Sequence, residues 1–149
     1  MKEERVPSDV IKAIFHFLGE ESHFRFPANI PRIHSAFYEL SQERDLSTLF
    51  EDFVFDTSKI FPYCETVSYA LDRLQKSNLL ACINPSLNEF EISNALSRWN
   101  IEKTELFNEN EKDLLKKAAK KFEDLIEEHI KITVEVSPVL ERPLLSWKE

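Results

Sequence analysis

Hydrophobic positions along this chain change their period several times, and each change marks an element. Val10, Ile11, Ile14, Phe15, Phe17 and Leu18 make a broad apolar helix face. Ser8 can cap that helix and Asp9 sits in its first turn, while Gly19 is expected to stop it one residue past its end. Glu20 to Asn29 reads as a connection that contains the alternation His23-Phe24-Arg25-Phe26. Asn29-Ile30-Pro31 opens a second helix, with Pro31 in the first turn where a missing amide costs nothing, and Ile33, Phe37, Tyr38 and Leu40 follow. Leu46, Leu49 and Phe50 suggest a short helical turn, and Phe53-Val54-Phe55 a brief strand.

The stretch from Phe61 to Ser93 carries the clearest signal. A helix is expected to begin near Pro62, Tyr63 and Cys64, with Glu65 favoured by the free amides of its first turn. Val67, Ala70, Leu71 and Leu74 fall at i, i+3, i+4 and i+7, a single stripe. Each Val- or Leu-sized residue buried there contributes roughly 1.5–3 kcal/mol. Ser77 and Asn78 end the helix, Asn being second only to Gly in a left-handed cap. Leu79 to Ile83 and Glu89 to Ile92 then read as two strands around Asn84-Pro85-Ser86-Leu87-Asn88, the alternative being a loop without strands. A helix running straight into a hairpin is the second half of a winged helix-turn-helix unit.

Beyond it, Ala95 to Ile101 reads as a short helix or loop carrying Trp99, and Asn108 caps the longest helix. Leu115, Ala118, Ala119, Phe122, Leu125 and Ile126 form its apolar stripe. Its polar face is segregated, Lys112, Lys116, Lys117, Lys120 and Lys121 first and Glu123, Asp124, Glu127 and Glu128 after, which reads either as a solvated face or as a docking surface with two opposite patches. Ile130, Ile132, Val134 and Val136 alternate with polar residues as a strand, and Pro138 ends it. The tail from Val139 to Trp147 is too apolar for an ordinary solvated terminus, so it either folds back or adds a strand or anchor to another chain. The expected fold is α+β and mostly helical. A winged-helix-like domain over residues 1–128 includes the long helix at 108–128, and residues 129–149 form a C-terminal strand and apolar tail.

Composition changes the picture by exclusion. The chain has 149 residues and one glycine, where average usage of about 7% would give roughly ten. Phosphate-cradling loops and dinucleotide fingerprints need several glycines, so nucleotide-dependent enzymes of those types are excluded. The 12 phenylalanines supply core mass and a minority of them a surface for a partner. His16, Glu20, His23 and His34 match no recognised metal-ligand spacing, and no nucleophile, base and orienting group fall together. The sequence therefore reads as a non-enzyme that needs no cofactor and no metal. Cys64 and Cys82 are expected to stay reduced, in a cytoplasm, either as neighbours or as two small buried hydrophobes. No leader and no stretch of about 18 apolar residues is visible, so no membrane partner is expected.

A winged unit first suggests DNA. Here 27 acidic residues face 19 basic ones, a formal charge of −8, whereas duplex DNA is bound largely through Lys and Arg. On the helix before the hairpin the candidate readers are Ser68, Tyr69, Arg73 and Lys76, but Glu65 and Asp72 share its outer face, and Asn84, Ser86, Asn88 and Glu89 at the hairpin tip include no cation. The segments PYCETVSYALDRLQKSNLL, FEIS and FNENEKDLLKKAAKKFEDLI, in that order, resemble small prokaryotic proteins of the Panacea/YwgA type over residues 8–128. Asn78 stands where that family usually has glycine, and the long tail departs from it. The resemblance implies an antitoxin-like or defence-associated accessory role through protein binding, with no catalytic set to transfer. The expectation is a protein-interaction subunit that joins a larger or toxin-like partner through Ile132, Val134, Val136, Leu140, Leu144, Leu145 and Trp147. The alternative is a dimeric DNA-binding transcriptional regulator.

Overall fold

A computed structural model describes residues 5–20, 25–83 and 88–126. The elements run α1 (Ser8–Glu20), β1 (Arg25–Pro27), α2 (Ile30–Gln42), a 3-10 turn (Ser47–Phe50), β2 (Phe55–Asp56), β3 (Tyr63–Cys64), α3 (Glu65–Lys76), β4 (Leu80–Ile83), β5 (Glu89–Ile92), α4 (Asn94–Ser97), α5 (Ile101–Thr104) and α6 (109–126). The fold is α+β and mostly helical, with two small antiparallel sheets. In one, β5 lies between β1 and β4, pairing Phe26 with Phe90 and Cys82 with Phe90. In the other, β2 pairs with β3, Phe55 opposite Cys64 and Asp56 opposite Tyr63.

Local chemistry accounts for most boundaries. Asn29 Oδ1 accepts the Arg32 amide at 3.1 Å and so starts α2. Asn108 Oδ1 accepts the Glu111 amide at 2.7 Å while Glu111 returns a carboxylate to the Asn108 amide at 3.0 Å, a reciprocal capping box at the head of α6. Asn78 closes α3 at φ 64°, with the Leu79 amide donating to Leu74 O and the Asn78 amide to Gln75 O, the two bonds of a left-handed helix stop.

The apolar stripes of α1, α2, α3 and α6 converge on one core with the inner faces of β1 and β5. Phe15 lies at its centre, its ring 5.1 Å from Phe26, 6.0 Å from Phe37 and 5.6 Å from Phe122. Phe122 also meets Phe37 at 5.1 Å and Phe26 at 5.6 Å, which ties the last helix into the same core. Arg32 adds a polar tie, donating through Nη2 to the Leu125 carbonyl of α6 at 2.8 Å.

Several sequence expectations shift. Gly19 does not stop α1; the helix continues through Glu20. A methyl group at Gly19 would collide with Ser97 Oγ and approach Ile92 Cγ2 to 3.1 Å, so this glycine serves close packing of α1 against α4. The connection from Glu20 to Asn29 contains strand β1, because Phe26 needs the sheet to reach the core. Tyr63 and Cys64 are paired strand residues, and α3 begins only at Glu65. The brief strand expected at Phe53 to Phe55 lies at Phe55–Asp56 instead. The strand at Ile130 to Val136, the tail and the loop at 84–87 lie outside the described residues.

Candidate functional site

Three surfaces and one buried cluster hold the chemistry that the described residues offer. The first surface is the outer face of α3. Tyr69 is half exposed and the Arg73 guanidinium lies 5.7 Å from its ring centroid, at the rim of a cleft shared with Val6, Lys12 and Leu79. Lys76 pairs with Asp72 at 3.0 Å. Ser68 is turned away from this face and meets His34, so the four sequence candidates for DNA contact do not share one surface.

His34 anchors the buried cluster. It projects from α2, is fully buried, and its Nδ1 accepts the Cys64 amide at 3.0 Å. A backbone N–H can only donate, so the neutral ring carries its proton on Nε2, which faces Ser68 Oγ at 3.4 Å. Tyr63 stacks on the ring at 4.9 Å and Phe61 lies at 5.3 Å. Burial pushes the His34 pKa below its ordinary value. The geometry also decides a chemical question. A protonated Nε2 cannot draw a proton from Ser68, so this Ser–His pair is not a nucleophile with its base. One side chain instead holds both strand β3 and the start of α3.

The second surface is the lysine face of α6, which sequence reading left as either solvated or docking. Most of its cations are tied to acids of the same molecule. Lys112 is buried between Glu102 at 2.5 Å and Glu109 at 3.0 Å, and those hydrogen bonds, Glu102 first, raise its pKa. Lys117 pairs with Asp45, a hydrogen bond that lowers the Asp45 pKa, and Lys121 pairs with Glu43 at 3.5 Å. Lys116 lies 5.6 Å from the Phe17 ring centroid.

The third surface was not singled out from sequence. Val54 is 79% exposed and Ile60 103%, both beside or within the β2–β3 hairpin. Asp52, Val54, Asp56, Lys59, Tyr63, Glu65 and Thr66 line a shallow depression of about 720 Å³ there. The available signal was Ile60 directly after Asp56-Thr57-Ser58-Lys59 and two residues before Pro62, an apolar residue in a turn-forming stretch. Core burial explains the neighbours Phe53 and Phe61 in part, but it does not reach Ile60.

The described histidines, His16 and His34, make separate contacts. His16 donates Nδ1–H to the Leu96 carbonyl at 2.8 Å and faces Trp99 edge-on, contacts it does not share with His34, which meets Cys64, Ser68, Phe61 and Tyr63. His23 lies outside the described residues, among which no group of three or more His, Cys, Asp or Glu side chains could hold a metal ion. Cys64 is buried at the cap of α3 and Cys82 is half-buried in β4, with no disulfide between them. Among the described residues no helix is long and apolar enough to cross a membrane. The residues Ile132, Val134, Val136, Leu140, Leu144, Leu145 and Trp147 all lie outside those described. No protein-family model, curated protein or solved structure matches the chain.

Proposed function

We propose that this chain is a winged-helix protein-interaction module, an accessory or antitoxin-like subunit that joins a larger protein in a prokaryotic multi-protein system. The topology supports the winged reading: α3 passes through its cap directly into the β4–β5 hairpin, and β1 completes the sheet on the far side of β5. The observation that carries the functional reading is where the charges go. Lys112, Lys117 and Lys121 are spent on acids within the molecule, while apolar Val54 stands exposed beside Asp52, Asp56 and Glu65, and Ile60 stands exposed on the same hairpin. Duplex DNA demands the reverse, with cations presented to phosphates.

Tyr69 and Arg73 favour a second reading, a dimeric DNA-binding regulator, because both lie outward on the helix that would enter a groove. A mobility-shift titration with duplex DNA at about 50 and about 200 mM salt separates the two. The interaction reading expects no discrete complex. Binding that weakens steeply with salt and is lost in Arg73→Ala or Lys76→Ala overturns it. Affinity purification of the full chain, compared with a chain ending at residue 137, tests the apolar tail as the anchor. A stoichiometric larger partner lost on truncation is the expected result, and undiminished capture removes the tail from the interface.

A further inference from the structure

We propose that the β2–β3 hairpin and the first turn of α3 form the docking site for a basic polypeptide segment bearing aliphatic anchors; this rests on the protein-interaction reading and names the partner's chemistry. Two large apolar side chains, Val54 and Ile60, stand almost wholly in water within a few residues of each other. Scattered apolar residues are ordinary on a surface. Val54 shares its depression with the exposed carboxylates of Asp52, Asp56 and Glu65, and Ile60 stands on the same hairpin, next in the chain to Lys59 of that depression. Among the described residues that line the depression, Lys59 is the one cation, and it lies 3.9 Å from Asp56. Asp56 is fixed in orientation by the Ser58 amide at 3.0 Å and the Ser58 hydroxyl at 2.6 Å, and these bonds lower its pKa, so its charge persists into mild acid.

Charge complementarity selects the occupant. Nucleic acid would meet like charge on this face. A second copy meeting this face symmetrically would bring the same acids against themselves; of the α6 lysines, Lys112, Lys117 and Lys121 already serve Glu102, Glu109, Asp45 and Glu43, while Lys116 and Lys120 stand exposed. A segment that places two aliphatic side chains over Val54 and Ile60, with Lys or Arg beside Asp52, Asp56 and Glu65, satisfies both features. The site is also held in place. His34 fixes the Cys64 amide and stacks on Tyr63, so the hairpin is tied to buried α2.

The test is an amide chemical-shift titration of the full chain with four synthetic probes. These are a peptide with two leucines flanked by lysines, the same peptide with lysines replaced by glutamates, the same peptide with leucines replaced by serines, and a peptide of residues 138–149. Only the leucine–lysine peptide is expected to shift resonances of residues 51–66, and Val54→Ser or Ile60→Ser is expected to raise its Kd about tenfold. Both positions are exposed, so unchanged thermal melting confirms that the variants fold. No shift at 51–66, or equal shifts with the serine–lysine peptide, overturns the proposal. Shifts with the 138–149 peptide assign the face to the chain's own tail, and concentration-dependent shifts without peptide assign it to a second copy; either overturns it. The mobility-shift assay remains the separate test of the interaction reading, which survives a failure here when DNA also leaves the chain unmoved.

Discussion

Replacing His34 with asparagine tests whether one buried ring holds the hairpin and the start of α3 together. Asparagine Oδ1 can stand where Nδ1 stands and accept the Cys64 amide, but it does not titrate. In the native chain, protonation would place a hydrogen on Nδ1 facing the Cys64 N–H, two donors 3.0 Å apart, and leave that buried amide without an acceptor. An amide orphaned in this way costs about 1–3 kcal/mol. The sign follows from linkage. Burial depresses the folded-state pKa of His34 below the ordinary ~6.5, so between those values the unfolded chain binds more protons. The contribution is fully present above about pH 6.5 and is lost as pH falls from there toward the folded value. Urea unfolding at about pH 7.5 and about pH 5.5 reads it directly. One proton titrating from the ordinary ~6.5 can cost at most about 1.4 kcal/mol by about pH 5.5, so the native chain is expected to lose up to about 1.4 kcal/mol more than His34→Asn between the two conditions. The variant is expected to start less stable at the higher pH, since it gives up the stack on Tyr63. Every other side chain is common to the two proteins, so the comparison isolates position 34. Parallel pH profiles for the two proteins would refute the assigned tautomer and the anchoring role with it.

Two further outcomes follow from the packing. Phe122→Ala removes a fully buried ring in contact with Phe15, Phe26 and Phe37, so a cost of about 3–5 kcal/mol and a melting temperature roughly 6–20 °C lower are expected in a single transition. A small shift, or a separate early transition, would mean that α6 is not part of the common core. Gly19→Ala gains helix propensity of about 1 kcal/mol but drives a methyl group into Ser97 Oγ, so a net loss of about 1 kcal/mol is expected, with Gly19→Ala/Ser97→Ala more stable than Gly19→Ala alone. Denaturant midpoints for these two variants and Ser97→Ala alone check the coupling, and additive effects would contradict the contact.

What the sequence made legible was what depends on neighbours in the chain. Asn29, Asn78 and Asn108 all act at helix ends as their positions predict, because a cap is a bond over a few residues. The stripes of α1, α3 and α6 are buried as their periods require. What depends on distant partners was hidden. Gly19 looked like a stop because its reason is Ser97, far along the chain. Strand β1 is three residues long, too short for alternation to distinguish it from a loop, and it exists because Phe90 and Glu91 offer it an edge. His34 gave no signal either, since its acceptor role is defined by an amide thirty residues away. Ser68 was read as outward facing for the same reason, as a single histidine from another helix turns it in.

The net charge of −8 describes the whole chain but not any surface of it, and here the difference decides the function that is proposed. A block of lysines within Lys112 to Lys121 would ordinarily suggest an anion-binding stripe. The fold brings Glu43 and Asp45, just beyond α2, and Glu102, within α5, against that block, so the cations meet acids before they meet a ligand. Each exposed pair is worth little in stability. Their effect is to cancel a field. Acids that do not take part, those of the β2–β3 hairpin and the first turn of α3, are then left to set the local potential beside Val54 and Ile60. A chain that merely needed solubility could scatter its surplus acids anywhere. Val54 and three of those acids, Asp52, Asp56 and Glu65, share one depression on a hairpin whose Cys64 amide is held by buried His34, and it is this pairing of exposed apolar surface with acid that the proposed cationic partner would answer.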